Sequence, residues 1–242
     1  ATDIKKSYHG EPVLKGISLR IEDGEFVSIM GDSGRGKSTL LSILGGFLAP
    51  DSGEVTLDGQ DISTWPLYRR ARVGLSYLPQ ESSIFRRLTV RQNLQIILEH
   101  TSLSRADQKK RADQLLDEFG LTRLENSYAS YLSGGERRRL EIARCLICDP
   151  RFVLLDEPFA GIDPIAVGDI QVLIRGLKDR GIGVLISDHN VGETLAICDR
   201  AYIQVSGKLF RAGTAEELAN DEQVRRVYLG NDFVLRRRNF ND

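Results

Sequence analysis

Short runs of continuously apolar residues recur along this chain, separated by longer stretches whose apolar positions keep helical spacing. The short runs are "GEFVSIMG" (24–31), "VGLSYLP" (73–79), "RFVLLDEP" (151–158), "GVLISDH" (183–189) and "RAYIQV" (200–205). Without apolar/polar alternation they predict strands buried on both faces, and the helical patterns between them predict helices covering those faces. The class is therefore α/β with a mostly parallel sheet. "KSTLLSILGGF" (37–47) reads as a helix entered from the loop that follows the first run. "YIQVSGKLFRAG" (202–213) reads as two strands joined by Ser206 and Gly207, a hairpin near the sheet edge.

Between Pro79 and Pro150 no strand-like run interrupts a stretch rich in Leu, Arg, Glu and Gln. A helical insert is predicted there, with helix starts at Thr89 (Gln92 three residues on) and Ser104 (Asp107 three residues on), and a stop at Gly120. From about Glu222 the chain turns polar and basic and ends "VLRRRNFND". Its three arginines are expected in a frayed, solvated tail rather than on a membrane surface.

Composition narrows the function classes. The 242 residues suit one catalytic unit, and Lys+Arg 33 against Asp+Glu 34 leaves a net charge of -1. Bulk attraction to a polyanion is excluded, so anion recognition has to be local. No apolar run approaches the roughly 18 residues of a membrane span, and no secretory leader pattern is present, which predicts a cytosolic chain. Three cysteines argue against a disulfide framework. Cys145 and Cys148 form a C-x-x-C inside a helical pattern with no second Cys or His pair nearby, and are read as packing residues; Cys198 adds nothing.

Local anion chemistry is found at "GDSGRGKST", which fits G-x-x-x-x-G-K-[ST] at Gly31, Gly36, Lys37 and Ser38, after a predicted strand and before a predicted helix. Glycines let backbone N–H groups curl around phosphate, Lys37 brings a charge to the outer phosphates, Ser38 offers a hydroxyl to Mg²⁺, and the helix start adds its dipole. Arg35 is expected to face solvent, with direct contact to phosphate as the alternative. The run before Asp156 and Glu157 puts two carboxylates at the carboxyl end of a buried strand, diverging by alternation; one suits Mg²⁺ through water and the other suits a proton acceptor. His189 follows another buried strand, where, taken alone, a structural role is more usual than a catalytic one.

"LSGGERRRLEIARCL" (132–146) opens a second helix start that could take an anion, with Leu140, Ala143 and Leu146 on its apolar face. It has no Lys, metal ligand or base, so it can bind phosphate but not hydrolyse it. Arg137 to Arg139 read as a solvated helix face, with an anion clamp as the alternative.

These motifs together resemble the ATP-binding cassette (ABC) ATPases, and "LSGGE" is similar to that family's signature residue for residue. The resemblance implies a RecA-like core with an N-terminal antiparallel β region and a helical subdomain. The core is expected at 1–81 and 150–221, the signature subdomain at 82–149 and the tail at 222–242. The resemblance further implies that Gly31, Asp32, Ser33, Gly34, Arg35, Gly36, Lys37, Ser38 and Thr39 form the Walker A loop and that Tyr8 stacks on adenine. By the same resemblance Asp156 ends Walker B, Glu157 is the catalytic base, and Ser38, Gln80 and Asp156 serve Mg²⁺. Gln80 also senses the attacking water, His189 contacts the γ-phosphate, and Asp163 lies in the D-loop.

What the resemblance implies about partners is a second copy of the chain, packed head to tail so that Ser133, Gly134, Gly135 and Glu136 close over the other copy's ATP. Two transmembrane subunits would dock in a groove near residues 80–90, with Phe85 and Arg86 as contacts unless they merely cap the insert. No nucleic acid is implied, and the place is the cytoplasmic face of a bacterial inner membrane. "GLSYLPQESSIFRRLTVRQNL", "LLDEPFAGIDP" and "VYLGNDF" are most similar to ATPase subunits of lipopolysaccharide export, whereas residues 31–59 look more like lipoprotein-release and macrolide-export ATPases. A branched-chain amino-acid importer is a further alternative. DNA-repair ABC ATPases need long coiled-coil arms for which this insert is too short.

Overall fold

The computed structural model describes residues 1–31, 34, 36–230 and 232–235. Asp32, Ser33, Arg35 and the three C-terminal arginines therefore lie outside the described residues.

The chain opens with β1 (Thr2–Tyr8) and β2 (Glu11–Ile17), an antiparallel pair. The phosphate-loop strand β3 (Phe26–Gly31) leads into α1 (Lys37–Gly45). Next, β4 (Ser52–Glu54) adds to β1, and a small ribbon, β5 (Thr56–Leu57) with β6 (Gln60–Asp61), precedes α2 (Leu67–Arg72) and β7 (Leu75–Leu78). The insert contributes α3 (Val90–Leu98), α4 (Arg105–Glu118) and α5 (Gly134–Cys145). The core then resumes with β8 (Phe152–Asp156), α6 (Pro164–Asp179), β9 (Gly183–Ser187), α7 (Val191–Leu195), β10 (Arg200–Val205), β11 (Lys208–Thr214) and α8 (Ala215–Asn220).

The main sheet has the order β11-β10-β3-β9-β8-β7 and is parallel except for the hairpin β10–β11, which turns at Ser206 (φ 51°) and Gly207 (φ 81°). That is the left-handed pair a two-residue hairpin needs. Between Leu78 and Phe152 no strand forms, only an isolated bridge between Thr89 and Tyr128. The predicted helix signals hold: Thr89 and Gln92 make a reciprocal capping box, the Ser104 hydroxyl accepts from the Asp107 N–H, and Gly120 (φ 61°) ends α4.

Continuous apolar runs in the sequence separate into two faces in the structure. Phe26 and Met30 of β3, Val153 and Leu155 of β8, and Val184 and Ile186 of β9 join a large core shared with α3–α7. Val27, Ile29, Phe152, Leu154 and Leu185 point the other way, into a second core with α1 and the N-terminal sheet. At about 1.5–3 kcal/mol for each large apolar side chain, burial on both faces fixes strand register. The three arginines for which fraying is expected lie outside the described residues; the chain ahead of them is packed. Val224 is fully buried and Tyr228, Leu229, Phe233 and Leu235 pack against the large core, because apolar residues recur there among the charges.

One buried cation fixes the far end of α1. Arg70 is fully buried and donates to the carbonyls of Ile43 (2.8 Å), Leu44 (2.6 Å), Trp65 (2.9 Å) and Ser63 (3.0 Å). Two of these are last-turn carbonyls of α1, which has no basic residue of its own there; that of Ile43 also takes the Gly46 N–H at 3.2 Å. Burial pushes the Arg70 pKa down. Arg70→Met is expected to take the donor from the carbonyls of Leu44, Trp65 and Ser63 and to lower unfolding free energy by about 3 kcal/mol. Urea denaturation reads this directly; a loss below about 1 kcal/mol would mean that water replaces the guanidinium.

Candidate functional site

β3, β8 and β9 are neighbours and parallel, so their carboxyl ends reach one edge of the sheet. Gly31 ends β3 where a Cβ would lie 2.2 Å from the Gln204 carbonyl oxygen of β10, so only glycine fits that close approach. Gly34 (φ 71°) and Gly36 (φ 99°) are left-handed, and α1 begins at Lys37. Lys37 is buried and its ammonium donates to the Gly31 carbonyl at 2.7 Å. Gly34, Gly36, Lys37, Ser38, Thr39 and Glu157 line a cavity of about 120 Å³. Asp32, Ser33 and Arg35 of the same loop lie outside the described residues.

Asp156, the last residue of β8, is buried and collects three hydroxyls. Ser38 (3.1 Å) and Ser187 (2.5 Å) donate to its Oδ1, and Tyr77 donates to its Oδ2 at 3.3 Å. Burial first, and the Asp156 charge second, push the Tyr77 phenol up to about 12, so it stays a donor. Glu157 diverges from Asp156 as expected, but through more than strand alternation. Its φ is 46°, and its N–H donates to the Ser187 carbonyl at 2.8 Å. A non-glycine residue there stores on the order of 1–3 kcal/mol. The left-handed turn brings the Glu157 carboxylate to the Gln80 amide (2.9 Å) and to within 3.5 Å of His189 Nδ1. His189 is itself exposed, while neighbouring Asp188 is fully buried and accepts from the Phe159 and Asn190 N–H groups. Burial raises the Asp188 pKa.

Ser133 to Glu136 do not reach this cavity; none of them lines it. Ser133 caps α5, accepting from the Glu136 N–H at 3.3 Å while the Glu136 carboxylate takes the Ser133 N–H at 2.8 Å. That box leaves the Gly134 and Gly135 N–H groups without a capping partner. Gly135 is small because a Cβ would meet Ala166 of α6 at 2.7 Å. The solvated-face reading of Arg137 to Arg139 fails for Arg138. It is buried, pairs with buried Glu141 at 3.0 Å, and donates to the carbonyls of Pro79 (3.4 Å) and Glu157 (3.2 Å). The helix turns this position toward the strand ends of β7 and β8, where those carbonyls need a donor. Glu141 also takes the Ser82 hydroxyl (2.6 Å) and the Ser83 N–H (3.2 Å).

The remaining predicted positions lie apart. Tyr8, at the end of β1, is exposed, and Phe85 and Arg86 are exposed on the segment before α3. Asn93 clamps the Phe85 backbone from both sides, its Oδ1 accepting at 2.8 Å and its Nδ2 donating at 3.0 Å. The Arg144 guanidinium lies 5.2 Å from the Phe85 ring. Asp163 caps α6, accepting from the N–H groups of Ile165 and Ala166. Cys145 ends α5 with its thiol toward the Tyr77 carbonyl, and burial pushes its pKa up to about 12, as a packing residue requires.

A family model described as ABC transporter matches residues 14–160. The chain belongs to the ABC transporter ATP-binding proteins. It is 49% identical over 236 residues, 97% of this chain and 98% of the relative, to the lipopolysaccharide export system ATP-binding protein LptB of Haemophilus influenzae. Among solved structures it is similar to a nucleotide-free ATP-binding cassette from an ABC transporter, at 27% identity and a TM-score of 0.84 over 95% of this chain and 98% of that one. A dimeric, post-hydrolysis cassette bound to ADP and Pi is 29% identical, with a TM-score of 0.78 over 88% and 97%. The ABC fold, with its mostly parallel sheet and N-terminal antiparallel sheet, and ATP hydrolysis coupled to transport follow from membership.

In this ABC cassette the sequence left Ser187, Tyr77 and Asn93 unread, and Arg138 read as solvated. Ser187 stands beside a chemical residue at a strand end, which was a usable signal; Arg138 hid within a charge run. Arg138→Met is expected to strand the Glu141 carboxylate and lower stability by about 3 kcal/mol, with part recovered in Arg138→Met/Glu141→Met. Denaturant titrations of both single variants and the double one measure the coupling; additive losses would contradict a buried pair.

Proposed function

We propose that this chain is the ATP-hydrolysing subunit of a lipopolysaccharide export system, working as a head-to-tail dimer under two transmembrane subunits. The observation that carries the catalytic part is the convergence of Gln80 and His189 on the Glu157 carboxylate beside the cavity of the phosphate loop. The near full-length similarity to LptB supports the cargo. Among the described residues no helix is long and apolar enough to cross a membrane. That agrees with a subunit held on the cytoplasmic face of an inner membrane by its partners.

ATP is gripped by the Gly31 to Thr39 loop, with the Lys37 ammonium, which has three donors, keeping its Gly31 carbonyl while it takes phosphate oxygen, and with Tyr8 against the base. Ser38, Gln80 and Asp156 offer hard oxygen donors, a set that suits Mg²⁺, which when bound would offset phosphate charge. Glu157 accepts a proton from the attacking water, Gln80 orients that water, and His189 steadies the γ-phosphate end. Gly134 and Gly135 of the opposite copy supply N–H donors to the same phosphate, with the cap Ser133–Glu136 holding their helix start. Asp163 lies on the copy-to-copy surface, while Phe85, held by Asn93 and Arg144, and its neighbour Arg86 receive the transmembrane subunits.

Glu157→Gln is expected to keep ATP binding, lower turnover by at least about a hundredfold and accumulate an ATP-bound dimer. Phosphate release and size-exclusion chromatography with ATP measure this, and normal steady-state hydrolysis would remove Glu157 from its role. Mixing Lys37→Ala with Ser133→Arg gives heterodimers in which one composite site carries both lesions and the other carries none. Their ATPase should exceed that of either variant homodimer; equal rates would contradict a site shared between copies.

A further inference from the structure

The apolar residues after α8 hold a specific polar contact with the start of the phosphate loop. The ladder of β3 to β9 ends at Ile29, and its ladder to β10 ends at Gly31. The Gly31 N–H donates instead to the hydroxyl of Tyr228, at 3.0 Å. The carbonyl of the same residue takes the Lys37 ammonium at 2.7 Å. Two hydrogen bonds thus meet at Gly31 from either side of its Cα, one on its N–H and one on its carbonyl, and together they fix how that residue is turned. Gly31 has little room to move toward β10, since the Gln204 carbonyl oxygen lies 2.2 Å from where a Cβ would be.

Tyr228 is itself held. It lies on a π-helical turn, Arg225–Leu229, closed by the Gly230 N–H donating to the Arg225 carbonyl at 2.8 Å. Arg225 donates to the Ala219 carbonyl at 2.9 Å, and Leu229, Phe233 and Leu235 pack on the large core. A π turn carries one extra residue, which re-aims a side chain, and such turns recur at functional sites. Packing alone would be served by phenylalanine; the hydroxyl is what reaches the loop.

We propose that Tyr228 is a positioning residue for ATP binding. Its hydroxyl fixes Gly31, the first residue of the phosphate loop, whose carbonyl places the Lys37 ammonium, so the turn Arg225–Leu229 sets the affinity of the cassette for ATP. The proposal rests on the reading of residues 31–39 as the phosphate loop.

The test uses the full chain with Tyr228→Phe, which keeps the ring, and Tyr228→Leu, which does not. Steady-state ATPase kinetics, binding of a fluorescent ATP analogue and melting without nucleotide are measured on each. For Tyr228→Phe, KM and Kd should rise about threefold to tenfold, with kcat within about twofold and Tm within about 2 °C. Tyr228→Leu should show at least the same rise in Kd together with a lower Tm. Unchanged KM and Kd in Tyr228→Phe overturn the proposal, as does a drop in Tm or kcat at constant Kd, which is what a packing role alone would give. Lys37→Ala separates the two levels. If it binds ATP normally, the phosphate-loop reading fails; if it loses ATP while Tyr228→Phe binds normally, only the role of Tyr228 fails.

Discussion

Burial of β3, β8 and β9 on both faces is the constraint from which the site follows. A strand covered on each side has nowhere to place a charge except at its ends, and parallel neighbours bring those ends to one edge. The register pairs Asp156 with Ser187 directly, and Ser187 also faces Ile29, two residues before Gly31 ends its strand. A slip by one residue would send Val153, Leu155, Val184 and Ile186 into the wrong core. The same packing that excludes a slip therefore sets Asp156 beside Ser38 and Ser187 before any ligand arrives.

Polar groups buried behind that edge connect it to the helical insert. Arg138 on α5 holds the carbonyls of Pro79 and Glu157, one next to Gln80 and the other on the proposed base. Its partner Glu141 holds Ser82 and Ser83, and Arg144 of the same helix donates to the Ser83 carbonyl at 2.6 Å. Such a network is costly when half satisfied, so it favours moving as a unit over loosening bond by bond. Segment 80–86 and α5 are consequently one mechanical piece. In the proposed exporter, a push on Phe85 reaches the signature helix and the Glu157 backbone together.

The fold class was legible because its signal is periodicity summed over many residues: five continuous runs, a hairpin at Ser206 and Gly207, and helix caps at Thr89 and Ser104. Residues 31–39 and 132–136 and the strand-end carboxylates Asp156 and Glu157 could be singled out because the chemistry proposed for them needs fixed residue types at fixed spacing. What stayed hidden depends on contacts distant in sequence. Arg138 looks like its neighbours until the helix is packed, Glu157 owes its direction to a left-handed backbone angle that no composition encodes, and Tyr228 lies 197 positions from the glycine it bonds. The charge after Glu222 is visible in sequence, while the core that receives Val224, Leu229 and Phe233 is not.

The two phosphate-type helix starts of this chain differ in how they are finished. At α1 no side chain caps the helix and no acid lies in the first turn, so its donors stay available to a ligand's charge. At α5 a reciprocal box already satisfies Ser133 and Glu136 and puts a carboxylate in the first turn. A lone anion gains little there, because Glu136 offsets the helix dipole and only Gly134 and Gly135 remain to donate. Such a start is too weak to gather phosphate by itself but adequate to close over phosphate already held by α1 of another copy. On this reading the cap is a specificity device: it makes the signature respond to a nucleotide that arrives bound, and so ties dimer closure to ATP rather than to free phosphate.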